Sequence, residues 1–517
     1  MRACIRDVRK SLINQEINVT QLCNLAFKRI DETKNLNAYI TTCQEEANKR
    51  AQVLDEQLAR YKVNDVGQVQ PGPLYGVPIS IKDNFCTKNL LTTCGSKMLH
   101  NFVPNYDATV VAKLRQANCI LTGKTNMDEF AMGSSCTTSY YKTAANYCKH
   151  QLLNGKAPSD CDDAHSWFMA GGSSTGSAIS VSTGACFASI GTDTGGSTRQ
   201  PASLTGVVGF KPTYGLISRF GLIPLAHCLD VVSLLARNVD DISAIFNQVI
   251  GLDENDLTSV DHRKVLKRTL PSESLDHHTI RIGVPEEFVL KGGASETVAR
   301  QYSDTIRRLT GGPVGETKFE LVKTSLPNAS LATECYTIIS SSEIASNMSC
   351  YDGVKYGFSI PVSDTSGKFD RDAFFKANRD AGFGSEVKKR ILVGNYFLLE
   401  ENRERYLVQA QKLRRLISED FSRAFELDKL DVIMMPSTPT TSISYADWLA
   451  KQDENKLFGE DYFLIPANLA NLPSISLPAG ISSEGMPIGL QLIANRFHDI
   501  DLLRISRFFE QNIFNIG

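Results

Sequence analysis

The spacing of apolar residues predicts a change from helix to strand early in the chain. From Thr20 onward, apolar residues recur at three- and four-residue steps, and Thr20 can cap the helix that they indicate. Residues 1–66 are therefore interpreted as a mostly helical N-terminal lead-in. In "GVPISIK" (76–82) the period becomes two, which predicts a strand with a polar end. Pro78 places this segment at a strand start or at a sheet edge.

Alternating strands and helices continue to the end of the chain. "TVVAKLRQANCILTGKTN" (109–126) predicts a helix followed by a strand, and "ERYLVQAQKLRRLISEDF" (404–421) predicts an amphipathic helix. The other predicted strands are "ACFASIG" (185–191), "TIRIGV" (279–284), "DVIMMP" (431–436), and "PSISLP" (473–478) paired with "PIGLQLI" (487–493). The polar residues 141–166 are interpreted as a surface insertion. This alternation is typical of a layered α/β fold.

Composition and charge exclude several classes of protein. The 517 residues would allow two to four domains, and 42% of them are hydrophobic. A net charge of −2 does not suggest that this chain alone binds the phosphates of nucleic acid. There is no apolar run of about 18 residues, so we expect no membrane contact. The start "MRACIRDVRKSL" has no secretory signal and is at best a weak mitochondrial presequence; a first helix is the better interpretation.

The cysteines do not indicate a metal site. The sequence has 13 cysteines, an odd number, and no pair has the C-x-x-C spacing. We expect free thiols in a reducing compartment and no bound metal.

The stretch "GTDTGGSTRQP" (191–201) raises the question of what base could activate Ser197. A serine hydroxyl is a weak nucleophile, and no histidine lies in this stretch or in the other strand and loop motifs. Lys82, at the end of an apolar strand, could act as the base if burial keeps it neutral, with a second hydroxyl as relay. Taken alone, these residues have ordinary alternatives: Ser197 in a turn, Lys82 paired with Asp83 at the surface, and Ser173 capping a helix.

Two other motifs are tested and fail. Residues 172–176 fit the G-x-S-x-G nucleophile elbow with Ser174 at its centre, but no strand directly precedes them. A phosphate-binding P-loop needs a lysine where this chain has Ser177. We therefore expect no ATP bound by this chain.

Together, "GVPISIKDNF", "GGSSTGSA" and "GTDTGGSTRQPASLTGVVGFKPTYG" resemble the amidase signature family. The resemblance implies one α/β/α domain over residues 1–517, with a large mixed central sheet covered by helices on both faces. It also implies a Ser–Ser–Lys triad, in which Ser197 is the nucleophile, Ser173 follows a cis peptide bond and bridges, and Lys82 is the base. The implied oxyanion hole consists of the backbone N–H groups of Thr194, Gly195, Gly196 and Ser197.

Further stretches resemble the A subunits of glutamyl-tRNA(Gln) amidotransferases, in their mitochondrial form. They are "KTNMDEFAMGSS" (124–135), "SEIASNMSCYDGVKYG" (342–357), "EVKKRILVGNYFLL" (386–399) and "PANLANLPSISLPAG" (466–480). The resemblance implies that glutamine is hydrolysed and that its ammonia converts Glu-tRNA(Gln) to Gln-tRNA(Gln) on a partner. The glutamine pocket would include Arg390 for the carboxylate, Asp461 for the ammonium, and Tyr336.

The same resemblance carries expectations for partners and location. B and C subunits would complete a heterotrimer, the partner and not this chain would bind ATP and Mg, and the complex would lie in the mitochondrial matrix. Thr175 departs from the family pattern, which has glycine there. A stand-alone amidase acting on another small amide remains the alternative, because the triad alone does not specify the substrate.

Overall fold

The computed structural model describes residues 4–61, 71–147, 167–270, 275, 277–291, 293–361, 370–452 and 460–514. Within them the chain forms one mixed sheet of eleven strands, in the order β1-β3-β2-β4-β6-β5-β10-β11-β9-β7-β8. The strands are β1 Tyr39–Thr42, β2 Pro78–Lys82, β3 Ile120–Thr125, β4 Ala188–Asp193, β5 Val208–Lys211, β6 Val231–Ala236, β7 Thr279–Val284, β8 Lys318–Lys323, β9 Val432–Pro436, β10 Ser474–Ile481 and β11 Pro487–Ile493. The predicted α/β fold is confirmed.

Parallel pairs lie towards both ends of the sheet, on either side of an antiparallel middle. Strand β2 lies parallel to both β3 and β4, and β7 lies parallel to both β8 and β9. The middle of the sheet is antiparallel, and β10 pairs with β11 as the sequence predicted. Every residue of β2, β3, β4, β5, β6, β9 and β11 is buried. Such strands must be covered on both faces.

Helices connect and cover these strands. They are α1 Ile5–Ile13, α2 Val19–Glu32, α3 Gln44–Tyr61, α4 Thr109–Gln116, α5 Thr175–Ser182, α6 Arg199–Thr205, α7 Val239–Val249, α8 His262–Val265, α9 Glu286–Lys291, α10 Glu296–Thr310, α11 Ala332–Asn347, α12 Arg371–Gly382, α13 Ser385–Leu398, α14 Glu400–Arg403, α15 Gln409–Glu426, α16 Tyr445–Gln452, α17 Ile465–Leu469 and α18 Asp499–Phe508. The amphipathic helix predicted from residue 404 is confirmed, although its first turn, Glu404–Val408, has π-helical geometry.

Three sequence predictions change in detail. In its described residues, 4–61, the lead-in is mostly helical, but it also contains β1, which pairs antiparallel with β3 at one edge of the sheet. Pro78 begins β2, which is an interior strand, because a first residue can lack its N–H without breaking the ladder. Most of the predicted insertion, residues 148–166, lies outside the described residues.

The sheet brings the motifs of Lys82, Ser173 and Ser197 together at the carboxyl ends of its strands. Because β2 and β4 are parallel neighbours, the Lys82 end of one and the Asp193 end of the other lie side by side. Ligands of open α/β sheets bind at such carboxyl ends. Ser173 precedes α5, and Ser197 lies in the loop between β4 and α6. The candidate site is therefore assembled from strand ends and helix starts.

Candidate active site

Lys82 is fully buried and is surrounded by hydroxyl groups. Its Nζ lies 2.7 Å from Ser173 Oγ, 3.0 Å from Ser174 Oγ and 2.8 Å from Thr192 Oγ1. Among the described residues, no carboxylate forms an ion pair with Lys82. Asp83, its neighbour in sequence, instead pairs with the buried Lys124 at 3.2 Å. The surface pair of Lys82 with Asp83 is therefore absent.

Burial decides the charge of Lys82. Desolvation lowers the pKa of Lys82 from 10.5 to about 7, and the more distant Asp128 and Asp193 only partly oppose it. The Ser174 hydroxyl donates to the Thr192 carbonyl at 3.1 Å, so its oxygen accepts from Lys82. The Ser173 hydroxyl has Lys82 as its only hydrogen-bond partner among the described residues. Its proton is therefore free to be exchanged.

The backbone around Ser173 is held against the Ser197 loop. The Gly172–Ser173 peptide bond is cis. A Cβ on Gly172 would overlap Asp128 Oδ2 and lie 2.6 Å from the Ser135 nitrogen, so only glycine fits there. The Ser174 N–H donates to the Ser197 carbonyl at 2.9 Å. This bond joins the loop that carries Ser173 to the loop that carries Ser197.

Asp193 organises the loop after β4. Its carboxylate forms a buried ion pair with Arg199 at 2.9 Å and accepts from Asn468 at 2.9 Å. Burial raises the pKa of Asp193, but the combined effect of the Arg199 guanidinium, the Lys211 charge and the Asn468 hydrogen bond is larger and lowers that pKa well below the usual range. Asp193 Oδ1 also accepts the Gly196 N–H at 2.9 Å. The Asp193 carboxylate therefore holds the loop in shape and, among the described residues, has no histidine to orient.

This bond alters the predicted oxyanion hole. The Gly196 N–H donates to Asp193, so it does not point at a substrate oxygen, and the candidate donors become Thr194, Gly195 and Ser197. Within the described part of the chain, no acceptor binds the backbone N–H of these three residues. From residue 188 to residue 205, Ser197 alone is partly exposed, and all others are buried. The loop thus presents one accessible hydroxyl beside uncommitted amides.

Two of the three predicted pocket residues lie directly against this loop. A Cβ on Gly195 would lie 2.9 Å from Tyr336 Cζ, and one on Gly196 would lie 2.9 Å from Asp461 Oδ1. Close approach by these two side chains thus requires both glycines. Tyr336 comes from α11.

Asp461 has an incomplete set of hydrogen bonds. Its Oδ1 is buried without a hydrogen-bond partner among the described residues. Desolvation, together with the charges of Glu460 and Asp193, raises the pKa of Asp461 well above its usual value. A buried carboxylate oxygen without a donor is costly unless a ligand supplies one.

Arg390 is the third predicted pocket residue. It lies on α13, and its Nε donates to Glu386 Oε1 at 2.8 Å. Its positive charge acts on both Tyr336 and Asp461, lowering the pKa of each against the larger opposing effect of burial. Tyr336 and Asp461 therefore contact the Ser197 loop, and Arg390 lies near enough to both to act on them through its charge.

Several residues of this site were missed by sequence reasoning. Thr192 Oγ1 accepts from Lys82 and also from the Asn84 side-chain amide, and both residues lie inside the quoted motifs, which could have indicated them. Asp230 accepts from Thr194 Oγ1 at 2.7 Å and so supports the loop. Asp230 stands outside these motifs, so no local signal identified it.

Neither a metal centre nor a membrane span is found in the described part of the chain. No group of three or more His, Cys, Asp or Glu side chains there could hold a metal ion. The cysteines in those residues are free. None of the helices among them is long and apolar enough to cross a bilayer.

Comparison with known families agrees with this geometry. Residues 21–503 match the model of the Amidase family. The chain belongs to the amidase family. Relatives are similar to this amidase over nearly its whole length: the A subunit of the mitochondrial glutamyl-tRNA(Gln) amidotransferase of Mus musculus is 40% identical, covering 98% of this chain and 93% of the relative. The protein of the same name from Homo sapiens is 39% identical, with the same coverage.

Solved structures support the same assignment. The A subunit of the Thermotoga maritima glutamyl-tRNA(Gln) amidotransferase superimposes on this amidase with a TM-score of 0.73 and 32% identity, covering 99% of this chain and 95% of the other. A 6-aminohexanoate cyclic dimer hydrolase gives a TM-score of 0.77 at only 20% identity, with 99% and 97% coverage. The latter similarity shows the fold alone.

Proposed function

We propose that the chain is the glutaminase subunit of a tRNA-dependent amidotransferase. It hydrolyses glutamine and releases ammonia, which a partner subunit uses to convert Glu-tRNA(Gln) to Gln-tRNA(Gln). The amidotransferase relatives, which are similar over almost their full length, support this proposal. The observation that carries the choice of glutamine is the unpartnered Asp461 carboxylate oxygen beside the Ser197 loop.

Glutamine fits the charges of this pocket. Its α-ammonium would donate to Asp461 Oδ1, which has no donor among the described residues. Its α-carboxylate would bind the guanidinium of Arg390, since charge-assisted hydrogen bonds of this type are strong. Tyr336 would pack beside the substrate at Gly195. The side-chain amide would then reach Ser197.

The reaction begins with transfer of the Ser197 proton. Lys82, neutral because it is buried, accepts the Ser173 proton while Ser173 accepts that of Ser197. Ser197 Oγ bonds to the amide carbon, and the oxyanion is stabilised by the N–H groups of Thr194, Gly195 and Ser197. Each such donor contributes about 3 kcal/mol to transition-state stabilisation in acyl transfer.

The relay then runs in reverse. Lys82 returns its proton through Ser173 to the leaving nitrogen, the carbon–nitrogen bond breaks, and ammonia departs, leaving a glutamyl ester on Ser197. Water, deprotonated through the same relay, hydrolyses the ester to glutamate and regenerates the serine. No metal or cofactor bound to this chain takes part in the proposal.

The complex would contain B and C subunits, with ATP and Mg bound by the partner that activates the glutamate of Glu-tRNA(Gln). We place it in the mitochondrial matrix, since the mammalian relatives are named as mitochondrial.

The test is Ser197→Ala in the assembled complex. Transamidation supported by glutamine should be lost, and transamidation supported by ammonium salts should remain, because only the ammonia source is removed. Full glutamine-supported activity in the variant would refute the proposal. Ammonia release from other small amides but not from glutamine would instead favour the stand-alone amidase.

A further inference from the structure

We propose that Glu129 is a positioning residue for Arg390, acting through the N-terminus of α13. This inference rests on the proposed function, in which Arg390 binds the substrate carboxylate. Glu129 lies outside the Ser–Lys cluster and contacts neither Ser197 nor the pocket carboxylate Asp461 among its described hydrogen bonds.

The contact is a direct cap on the helix that carries Arg390. Glu129 Oε2 accepts the Gly384 N–H at 2.9 Å, and Gly384 is the residue immediately before α13. Gly384 has no side chain with which to cap the helix itself. A carboxylate at a helix N-terminus satisfies a free N–H and complements the positive end of the helix dipole.

Glu129 is itself firmly held. Its Oε1 accepts from Ser96 Oγ at 2.5 Å, and burial raises its pKa to about 7. Phe130, the next residue, has a φ of 49° and packs its ring against Phe383, with 5.8 Å between ring centroids. Phe383 directly precedes Gly384, so two consecutive residues of this loop anchor the start of α13.

The same loop also contacts the backbone of the proposed relay. Asp128 abuts Gly172, and its Oδ1 accepts from Thr138 at 2.9 Å. Adjacent residues, Asp128 and Glu129, thus fix the Ser173 segment and the Arg390 helix to one another. From Gly384, α13 runs about one and a half turns to Arg390. A shift of its start changes where the guanidinium meets the substrate.

The experiment uses Glu129→Ala and Glu129→Gln in the full-length chain. Two substrates are compared: glutamine, and p-nitrophenyl butyrate, an ester without an α-carboxylate. E129A should raise the KM for glutamine about three- to tenfold, the range of a lost helix-terminal charge contact, with kcat changed less than twofold. Hydrolysis of the ester should be unchanged, because it does not need Arg390.

Glu129→Gln removes the charge and keeps one acceptor oxygen, which can still bind the Gly384 N–H, while its NH2 group would donate to Ser96 Oγ where Glu129 accepts. At pH 8, where Glu129 is ionised, E129Q should raise the KM for glutamine about two- to threefold. This milder variant also serves if E129A does not fold.

Glu510 provides a matched control. Its carboxylate accepts the N–H of Val239, the first residue of α7, at 3.1 Å, and its pKa is likewise raised to about 7 by burial. Glu510→Gln makes the same chemical change at a helix remote from the site and should leave both substrates unaffected.

The results distinguish the positioning role of Glu129 from the proposed role of Arg390 in binding glutamine. Arg390→Met should raise the KM for glutamine; if it does so while both Glu129 variants stay within the error of wild type, the positioning role is overturned. Equal losses on glutamine and ester in the Glu129 variants would also overturn it, because the defect would then lie in the serine cluster. If Arg390→Met leaves the KM unchanged, the proposed glutamine pocket itself fails.

Discussion

Replacing Lys82 by methionine removes the amine and keeps most of the buried volume. The structure sets the expected effect through the charge state of that amine. Its pKa falls from 10.5 in water to about 7, and this difference of about 3.5 pH units corresponds to about 5 kcal/mol in favour of the neutral form. A neutral amine at physiological pH can accept a proton, and a general base of this kind contributes about 10²- to 10⁴-fold to the rate.

The assay is ammonia release from glutamine between pH 5.5 and 9. Lys82 acts when unprotonated, so kcat/KM should rise about tenfold per pH unit below pH 7 and become constant above pH 8. Lys82→Met should lose about 10²- to 10⁴-fold of kcat/KM, and its residual activity should lack this rise.

A second buried lysine is the control. Burial also lowers the pKa of Lys211 to about 7, but its Nζ donates to the carbonyl of Leu472 and not to the serine cluster. Lys211→Met should therefore retain the rise near pH 7. A flat wild-type profile between pH 6 and 8, or more than a tenth of wild-type activity in Lys82→Met, would refute the assignment of Lys82 as base.

Unfolding experiments examine the same pKa independently. Because the folded pKa of Lys82 lies below the unfolded value, its contribution to stability is fully present above about pH 10.5 and is lost as pH falls to about 7. Between pH 9 and pH 8, the free energy of unfolding of wild type relative to Lys82→Met should fall by about 1.4 kcal/mol in urea denaturation. No change in this difference would mean that Lys82 stays protonated in the folded protein.

Two further predictions concern the pocket and the loop. Asp461→Asn should raise the KM for glutamine at least about tenfold, because an amide oxygen accepts only a weaker, uncharged hydrogen bond from the α-ammonium. Hydrolysis of p-nitrophenyl butyrate should be unchanged, and a parallel loss on the ester would contradict a binding role. Gly196→Ala should lower kcat/KM on both substrates about a hundredfold or more. Gly196 has a φ of 135°, and the Cβ of an alanine there would lie 2.7 Å from Leu464 Cδ1 and 2.9 Å from Asp461 Oδ1. Gly206→Ala, at a φ of 73° but with Pro487 no nearer than 3.1 Å, should cost about 1 kcal/mol of stability and keep its activity, which thermal unfolding and the same two assays would check.

Sequence reasoning reached much of this site because its signals are local. Alternation predicted β2, a short strand-like run predicted β4, and the polar end of an apolar strand indicated a buried Lys82. The double glycine at 195–196 lies in the loop of the predicted oxyanion hole, and the structure adds that Tyr336 and Asp461 approach it closely. Periodicity shows which face of a helix or strand is apolar, and it can be read from a short stretch of sequence.

The sequence did not show which groups pair with one another in the site. Asp83 follows Lys82 directly, but it lies just beyond the end of β2 and its carboxylate pairs with Lys124 of β3. The Gly196 N–H donates to Asp193, although the resemblance had implied that it belongs to the oxyanion hole. These pairings depend on how the ends of neighbouring strands are arranged in space, which no short stretch of sequence specifies.

The sequence by itself indicated strands β2, β3, β4, β7, β9, β10 and β11, together with the motifs and the residue types available for acyl transfer. The tertiary structure alone decided that β1 joins the sheet edge, that an oxygen of Asp461 is left without a donor among the described residues, and that Glu129 caps the helix of Arg390 from 255 residues away. The physical reason is that burial and pairing arise between segments distant in the chain. Apolar periodicity can place a residue inside, but only the packed structure decides what it meets there.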